Sequence, residues 1–364
     1  MTILPLFKKP TVASLMDHAE KKAFIDSLIA VQPGPSIVYG EESKMIRNIQ
    51  AVTASCNLNN LTRTKAYLSF YLKHPEVHWA FLAHMVSRNG GYSMTDLKNS
   101  LVSHFLSEKN ERNSLFHFLE TANALIFHDA YPQLLLYEES KKRGKPFFRL
   151  LPALHVSRFM EPVWAQFYER KQSNLLTLAL ITNEQQYVEQ QLISKSSDIL
   201  KSIPYLLQER CGFTNVIFPF KKRGYDKYFS LAGIEIGQFN DPKARISIGK
   251  SLYSTLFHPA VFPSALLFAK TFPHSGSRED YWPNLFSADP HQKIYSPKLT
   301  DVWNDVSHKY YPWPDWLKDP DMAADFDSFD KKQAYRDMTK NVKMDLLKMG
   351  SMKLLTKPFL KRGM

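Results

Sequence analysis

The sequence predicts a mainly α-helical protein, and three observations lead to that prediction. Apolar residues recur at helical spacing through most of residues 41–212, between recognisable helix start and stop signals. Strand-like patterns are confined to Val216–Phe218 and Ile234–Ile236, with a turn signal at Lys221–Gly224 between them. The longest apolar run, Leu175–Ile181, is far shorter than the roughly 18 residues that would cross a bilayer. We therefore expect one multi-helix body that carries at most one small β-hairpin.

The first helices are located by their terminal residues. A short helix is expected over Asp17–Ile29, and a second opens at Glu41–Glu42, where carboxylates favour the positive end of a helix. A third helix begins near Asn60. It must end before His74-Pro75, because proline disfavours the helical conformation in the residue before it.

The next helix is expected from Pro75 to Arg88, with a glycine C-cap at Asn89–Gly91. Ser93–Asp96 resembles the capping signal of another helix. Further helices are expected around residues 110–130, 132–143, 155–171, 174–194 and 197–210.

The C-terminal third is predicted to be rich in loops and aromatic residues. Asp241-Pro242 starts one more helix, to about Phe257, but residues 271–320 contain seven prolines and four of the six tryptophans. The aromatic run Tyr310–Trp316 could stack a ligand or line a groove for an extended peptide, and the favoured interpretation is a strap whose rings pack into the helical body.

Three segments are expected from these patterns. Residues 1–40 form an N-terminal loop and short helix, and residues 41–320 form one large helical domain, with a sub-boundary near 212 as an alternative. Residues 321–364 form an acidic-to-basic linker and an amphipathic tail.

The net charge of +12 is concentrated near the C-terminus. Residues 331–364 contain ten basic and two acidic residues, whereas residues 315–330 contain six aspartates and one lysine. The helical body is therefore not expected to bind nucleic acid. Cysteine is limited to Cys56 and Cys211, so neither a disulfide framework nor a cysteine-rich metal site is implied, and a cytoplasmic location is expected.

The tail has the pattern of a basic amphipathic helix. Its apolar positions are Met338, Val342, Leu346 and Met349, with lysines around them. Such a helix can lie on an anionic membrane surface, here the inner face of the membrane, or in an acidic protein groove. The alternatives are that the preceding aspartates screen the tail or pair with it, or that the tail is simply solvated.

A polar group is predicted inside the body, on the helix that begins near Pro75. That helix is apolar nearly all round, which indicates burial, and its exceptions His84 and Arg88 share one face. A buried guanidinium needs a carboxylate or several acceptors, and Glu184, directly after an apolar run, is one candidate partner. For His84 and Arg88, the alternative is a structural polar network. For Glu184, it is the start of a new helix that Asn183 caps.

The loop His274–Pro283 is the densest polar cluster in the sequence. His274, Arg278 and Asp280 could bind phosphate or perform acid–base chemistry, or they could brace a long loop. The candidate catalytic residues are therefore His84, Arg88, Glu184, His274, Arg278 and Asp280.

Candidate metal ligands come from isolated histidines and one dipeptide. His74 and His78 have the spacing of a helical metal pair, but His74 is expected to lie outside the helix. His128-Asp129 resembles the doublet of helical metal phosphohydrolases, although one such dipeptide is expected by chance. The metal candidates are His78, His84, His128 and Asp129, and no cofactor is predicted.

Four segments carry a family resemblance. They are Asn60–Tyr67, His74–Ala80, Met85–Gly91 and Ser275–Pro283. Together they resemble the YppC-like family of uncharacterised Bacillus-type proteins, over about residues 45–317. The resemblance implies a cytosolic bacterial protein and assigns no catalytic residue.

The leading functional prediction is a non-enzymatic cytosolic binding protein with a buried polar pocket around His84, Arg88 and the 274–282 loop. One alternative is a hydrolase, metal-dependent or not, that uses the same groups. Another is a peripheral membrane protein anchored by its basic tail.

Overall fold

The computed structural model describes residues 12–31, 38–99, 109–195, 215–236, 241–310, 314–319, 326–330 and 335–360. Its helices are α1 (His18–Ala30), α2 (Gly40–Cys56), α3 (Asn60–Lys73), α4 (His78–Asp96), α5 (Lys109–Arg143), α6 (Met160–Arg170), α7 (Ser173–Gln191), α8 (Pro242–Leu256), α9 (Phe262–Thr271), α10 (Leu299–Val302) and α11 (Thr339–Leu360). The strands are β1 (Val12–Ser14), β2 (Asn215–Phe220), β3 (Ser230–Glu235), β4 (Phe286–Ser287), β5 (Ile294–Tyr295) and β6 (Ser328–Asp330), paired two by two. The predicted mainly α fold is confirmed.

Local signals set the first three helices, as predicted. The Asp17 side chain accepts from the Glu20 amide, and Glu20 accepts from the Asp17 amide, which completes a capping box at the start of α1. Asn59 and Thr62 form the same arrangement at α3. Helix α3 ends at Lys73, one residue before the C-cap His74.

The expected bounds of α4 were wrong at both ends. The chain turns at His74–Val77, where the Val77 amide donates to the His74 carbonyl, so the helix starts at His78 rather than Pro75. It then runs through Asn89–Gly91 to Asp96, without the predicted cap and restart. The glycine at 91 serves packing, because a Cβ there would collide with the side chains of His274 and Asn60.

Helices α5 and α7 are longer and more continuous than expected. Helix α5 contains Pro132 within its length, where two helices had been predicted, and it ends at Arg143 before Gly144 in the left-handed region, as predicted. Helix α7 passes through Asn183, so the proposed N-cap there was wrong. The helix expected at 197–210 lies outside the described residues.

The predicted hairpin is confirmed. Strands β2 and β3 pair antiparallel with Val216 opposite Ile234, and Asp241 caps α8 as expected. The predicted strap is confirmed at Tyr310, which stacks on His128 at 3.7 Å between ring centres, and at the buried Trp316.

The first strand pairs with a strand that lies shortly before the C-terminal helix. Strand β1 pairs antiparallel with β6, and the ring of Phe24 lies 5.1 Å from that of Phe326. The division of the chain at residues 40 and 320 stays a prediction. None of the helices within the described ranges has the length and apolar composition needed to cross a bilayer.

Candidate functional site

Helix α4 carries polar side chains into the protein interior. His84, Arg88 and Tyr92 recur every fourth residue and so lie on one face of the helix. Arg88 is only 1% exposed and His84 is 2% exposed. The predicted burial of this helix and of its two polar exceptions is confirmed.

The Arg88 guanidinium is fully engaged by neighbouring groups. Its Nη2 lies 3.3 Å from Asp280 Oδ2, its Nη1 donates to the Phe272 carbonyl at 2.8 Å, and its Nε donates to the Tyr92 hydroxyl at 3.2 Å. The Phe268 ring lies 4.4 Å from the guanidinium carbon. The charge that burial would otherwise penalise is therefore paired and hydrogen-bonded.

Asp280 is the centre of the cluster. It accepts from the Ser275 amide at 3.1 Å, from the Ser275 hydroxyl at 2.5 Å and from the Tyr92 hydroxyl at 3.2 Å. Burial opposes ionisation, but the Arg88 charge and the hydrogen bond from Ser275 hold the pKa of Asp280 below its ordinary value. The carboxylate is therefore ionised at neutral pH.

Both histidines of the cluster are neutral at neutral pH. Burial and the Arg88 charge lower the pKa of His274 to about 4, and the same two causes hold the pKa of His84 well below its usual range. His274 Nε2 lies 2.9 Å from the side-chain oxygen of Asn60, and His84 Nδ1 lies 2.8 Å from the Thr64 carbonyl. Each ring therefore donates one hydrogen bond to an acceptor on α3.

Arg278 makes a second ion pair at the end of α4. Its Nε and Nη2 donate to Asp96 Oδ2 at 2.8 and 2.6 Å, and its Nη1 donates to the Tyr281 hydroxyl at 2.6 Å. The predicted convergence of the 274–280 loop on His84 and Arg88 is thus observed. The bonds join the loop to α3 and α4.

Glu184 does not belong to this cluster. The expected partnership with Arg88 or His84 was wrong, because α7 brings Glu184 beside Trp79 and Asp129 instead. Burial, with a contribution from the Asp129 charge, raises the pKa of Glu184 to about 8. Periodicity located Glu184 in the interior but could not indicate which helix it faces.

The four metal candidates are dispersed. His78 Nδ1 lies 2.9 Å from the Tyr253 hydroxyl, His84 bonds to α3, and His128 stacks on Tyr310. Asp129 accepts from Asn183 at 2.6 Å and from Gln133 at 3.1 Å. Within the described ranges, no three His, Cys, Asp or Glu side chains form a group that could hold a metal ion.

A third ion pair, between the buried side chains of Arg63 and Glu120, was not predicted. Arg63 Nη2 lies 2.5 Å from Glu120 Oε1, and these side chains are 0% and 2% exposed. Arg63 Nη1 also donates to Asn57 at 3.0 Å, and His308 Nε2 lies 3.6 Å from Glu120. The available signal was spacing, since Arg63, Tyr67 and Phe70 recur on one face of α3.

The structure also contains an open groove that the sequence did not indicate. It has a volume of about 720 Å³ and lies between α1 and α6, beside Arg149 and Pro152. The elements that form it are more than 100 residues apart in sequence, as the Glu20–Arg170 ion pair illustrates with a separation of 150.

The C-terminal helix packs on the protein itself. Met338, Val342 and Met349 are buried, which was not predicted from the sequence. Among the described residues of the acidic segment, Asp315 bonds to Ser157 and Arg158, and Asp327 bonds to Ser14 and pairs with Lys21. These two aspartates therefore pair outside the tail.

These features define a mainly α-helical protein in which a buried ionic cluster fastens an aromatic-rich loop to a central helix. The chain belongs to the family described as "Protein of unknown function (DUF2515)", whose profile matches residues 55–350. It is 42% identical over 240 residues to "Uncharacterized protein YppC" of Bacillus subtilis (strain 168), over 65% of this chain and 73% of that protein. No solved structure matches the chain. The resemblance to YppC-like proteins is confirmed, and neither description assigns an activity.

Proposed function

We propose that the protein is a non-enzymatic binding protein that acts at an anionic membrane surface. The contact is made by a basic face with three parts: the hairpin tip Lys221–Phe229, the α9 end Leu267–Phe272, and the exposed side of α11 from Lys340 to Leu347. The location that goes with this proposal is the cytoplasmic face of the membrane.

The observation that carries the proposal is the clustering of exposed apolar side chains. Among the described residues, six of the eleven large apolar side chains that are exposed lie on the basic face. They are Tyr225, Tyr228, Leu267, Phe272, Met344 and Leu347. Tyr225 is 80% exposed and Leu267 and Leu347 are each 63% exposed, so each leaves apolar surface in water.

Specific contacts join the three parts of the basic face. Lys222 forms an ion pair with Asp337, directly before α11. Trp282 Nε1 donates to the Phe229 carbonyl at 2.9 Å, and Lys343 Nζ lies 5.6 Å from the Trp282 ring centre. The ring centre of Phe229 lies 5.0 Å from Phe268 and 5.5 Å from Phe272. The hairpin tip, α9 and α11 are therefore neighbours.

The charge of the basic face complements anionic lipid. The hairpin tip contains Lys221, Lys222, Arg223 and Lys227 with one acidic residue, Asp226. Each basic residue near an anionic leaflet contributes about 1 kcal/mol, and tyrosine rings favour the depth of the lipid headgroups. The exposed leucines favour lipid over nucleic acid, because an aliphatic side chain gains nothing beside a phosphodiester backbone.

The hydrolase alternative receives less support. The side chains that it requires are buried and already bonded to one another, so the cluster is suited to holding the 272–282 loop against α4. Anchoring by the apolar side of the tail is also less favoured, since Met338, Val342 and Met349 are covered by the body.

Co-sedimentation with lipid vesicles tests this proposal. We expect binding to vesicles of phosphatidylcholine mixed with phosphatidylglycerol, little binding to phosphatidylcholine alone, and weaker binding as salt screens the charges. Equal binding to both vesicle types, or to neither, would contradict the proposal. Binding to duplex DNA or RNA with a steep salt dependence, and not to vesicles, would indicate a nucleic-acid partner instead.

A further inference from the structure

The methionine side chains differ sharply in their exposure to solvent. Among those that the structure describes, Met344 on α11 is exposed, at 45%. The other seven are between 0% and 8% exposed: Met16, Met45, Met85, Met94, Met160, Met338 and Met349. A reagent in solution therefore reaches the Met344 thioether more easily than any of these seven.

Met344 lies at the apolar centre of the exposed side of α11. Lys340 precedes it by four residues and Lys348 follows it by four, so each is one helical turn away on the same side. Leu347, three residues further on, is 63% exposed and continues the apolar surface. Met344 thus contributes a thioether to the apolar part of the basic face.

The opposite side of α11 packs on the body. Val342 and Met349 are buried there, and a helical rotation of 100° per residue places Met344 about 140–160° away from both. A chemical change at Met344 therefore alters the surface of α11 that faces solvent and leaves its packing on the body in place.

A thioether reacts with hydrogen peroxide without a cofactor. The sulfur attacks one peroxide oxygen, an S–O bond forms and the O–O bond breaks. The proton on the transferred oxygen moves to the departing hydroxide, which leaves as water, so sulfur is oxidised by two electrons and peroxide is reduced. The product, methionine sulfoxide, is polar and is reversed by methionine sulfoxide reductases.

We propose that Met344 is an oxidation site, and that its conversion to the sulfoxide by hydrogen peroxide weakens the contact of the basic face with an anionic membrane. This inference rests on the proposed membrane function and adds its regulation. The sulfoxide oxygen would lose hydrogen bonds to water on entering the lipid, so the apolar contribution of Met344 is lost. The charges of the basic face are unchanged.

Co-sedimentation with vesicles of phosphatidylcholine and phosphatidylglycerol, before and after peroxide treatment, tests the proposal. Mass spectrometry of a protease digest should locate sulfoxide at Met344 at lower peroxide concentrations than at the seven buried methionines. We expect the vesicle affinity to fall about ten-fold, with an unchanged salt dependence because no charge is lost. Methionine sulfoxide reductases should restore the affinity. Dithiothreitol should not, which separates this effect from oxidation of the free thiol of Cys56.

Three variants complete the test. Met344→Leu should have the same affinity with and without peroxide, and since it keeps every other methionine it reports any effect of oxidation elsewhere. Met344→Gln places a polar side chain at this position and should bind weakly without peroxide. Leu72→Gln is the matched control, because Leu72 is 50% exposed on α3, outside the basic face, and this chain should bind like the wild type.

The outcomes separate this inference from the proposed function. Unchanged affinity of a wild type whose Met344 is fully oxidised overturns the inference, and so does an equal peroxide effect on the Met344→Leu chain. Preferential oxidation of the buried methionines would overturn it as well. If the untreated wild type does not bind the vesicles, the membrane function itself is contradicted.

Discussion

Arg88 Nη2 on α4 lies 3.3 Å from Asp280 Oδ2 in the loop, and the two side chains are only 1% and 8% exposed. The residues are 192 positions apart in sequence. One buried ion pair thus fixes a distant loop on the central helix. The hydrogen bonds from Tyr92 and Ser275 satisfy the remaining capacity of the carboxylate.

Replacing Arg88 by methionine should destabilise the protein strongly. The change leaves Asp280 buried without its counter-charge, which typically costs about 3–5 kcal/mol. Urea unfolding monitored by tryptophan fluorescence measures the loss. Arg143→Met is the control, because the pair of Arg143 with Glu139 is exposed at the end of α5 and should matter by less than about 1 kcal/mol. Equal effects of the two variants would contradict a structural role for the cluster.

Gly91→Ala should lower the thermal stability of the protein, whereas Gly350→Ala should not. Alanine is favoured over glycine in a helix by about 1 kcal/mol, and both glycines are helical. A Cβ at 91 would collide with His274 and Asn60, whereas a Cβ at 350 meets nothing within 4 Å. We expect thermal unfolding at a lower temperature for Gly91→Ala and at an equal or higher one for Gly350→Ala. Stabilisation by Gly91→Ala would show that the loop does not pack there.

Asp129→Asn should flatten the pH dependence of stability. Burial raises the pKa of Asp129 to about 8, with a contribution from the Asp315 charge, although hydrogen bonds from Asn183 and Gln133 lower it. In the unfolded chain the carboxyl ionises near pH 3.9. The unfolded state therefore releases a proton that the folded state keeps, and the free energy of unfolding falls as pH rises from about 4 to 8.

Urea unfolding at pH 4, 6 and 8 measures this slope. The Asp129→Asn variant should resemble the wild type at pH 4 and exceed it at pH 8. The slope should decrease rather than vanish, because burial also raises the pKa of Glu184 to about 8. A variant with the same slope as the wild type would mean that Asp129 is ionised in the folded protein.

The sequence predicted the secondary structure correctly where one short segment determines it. Asp17, Asn59 and Asp241 cap helices that start as predicted, and the β2–β3 hairpin forms around its turn signal. Long-range packing decided the other cases. The residues around Gly91 predict a helix end. In the structure Gly91 is instead a point of close approach for His274, whose position is set by the distant loop.

The candidate site could be predicted in part for the same reason. A buried arginine on an apolar helix requires a carboxylate or several acceptors, and Arg88 has both in Asp280 and the Phe272 carbonyl. The choice between Glu184 and Asp280 depends on how α7 and the 272–282 loop pack against α4, and periodicity contains no such information. The groove between α1 and α6 was not predictable either, because it exists only once the two helices lie side by side.

Vesicle binding by a hairpin-tip variant tests the central claim most directly. In Lys222→Ser/Arg223→Ser/Lys227→Ser, three exposed cations are lost from the basic face. At about 1 kcal/mol each, the affinity for phosphatidylglycerol-containing vesicles should fall roughly 100-fold. The control Lys44→Ser/Lys65→Ser/Lys109→Ser removes the same charge from exposed positions elsewhere and should bind nearly like the wild type. An equal loss of vesicle affinity in both variants would show that binding depends on net charge and not on the basic face. Full binding by the hairpin-tip variant would contradict the account.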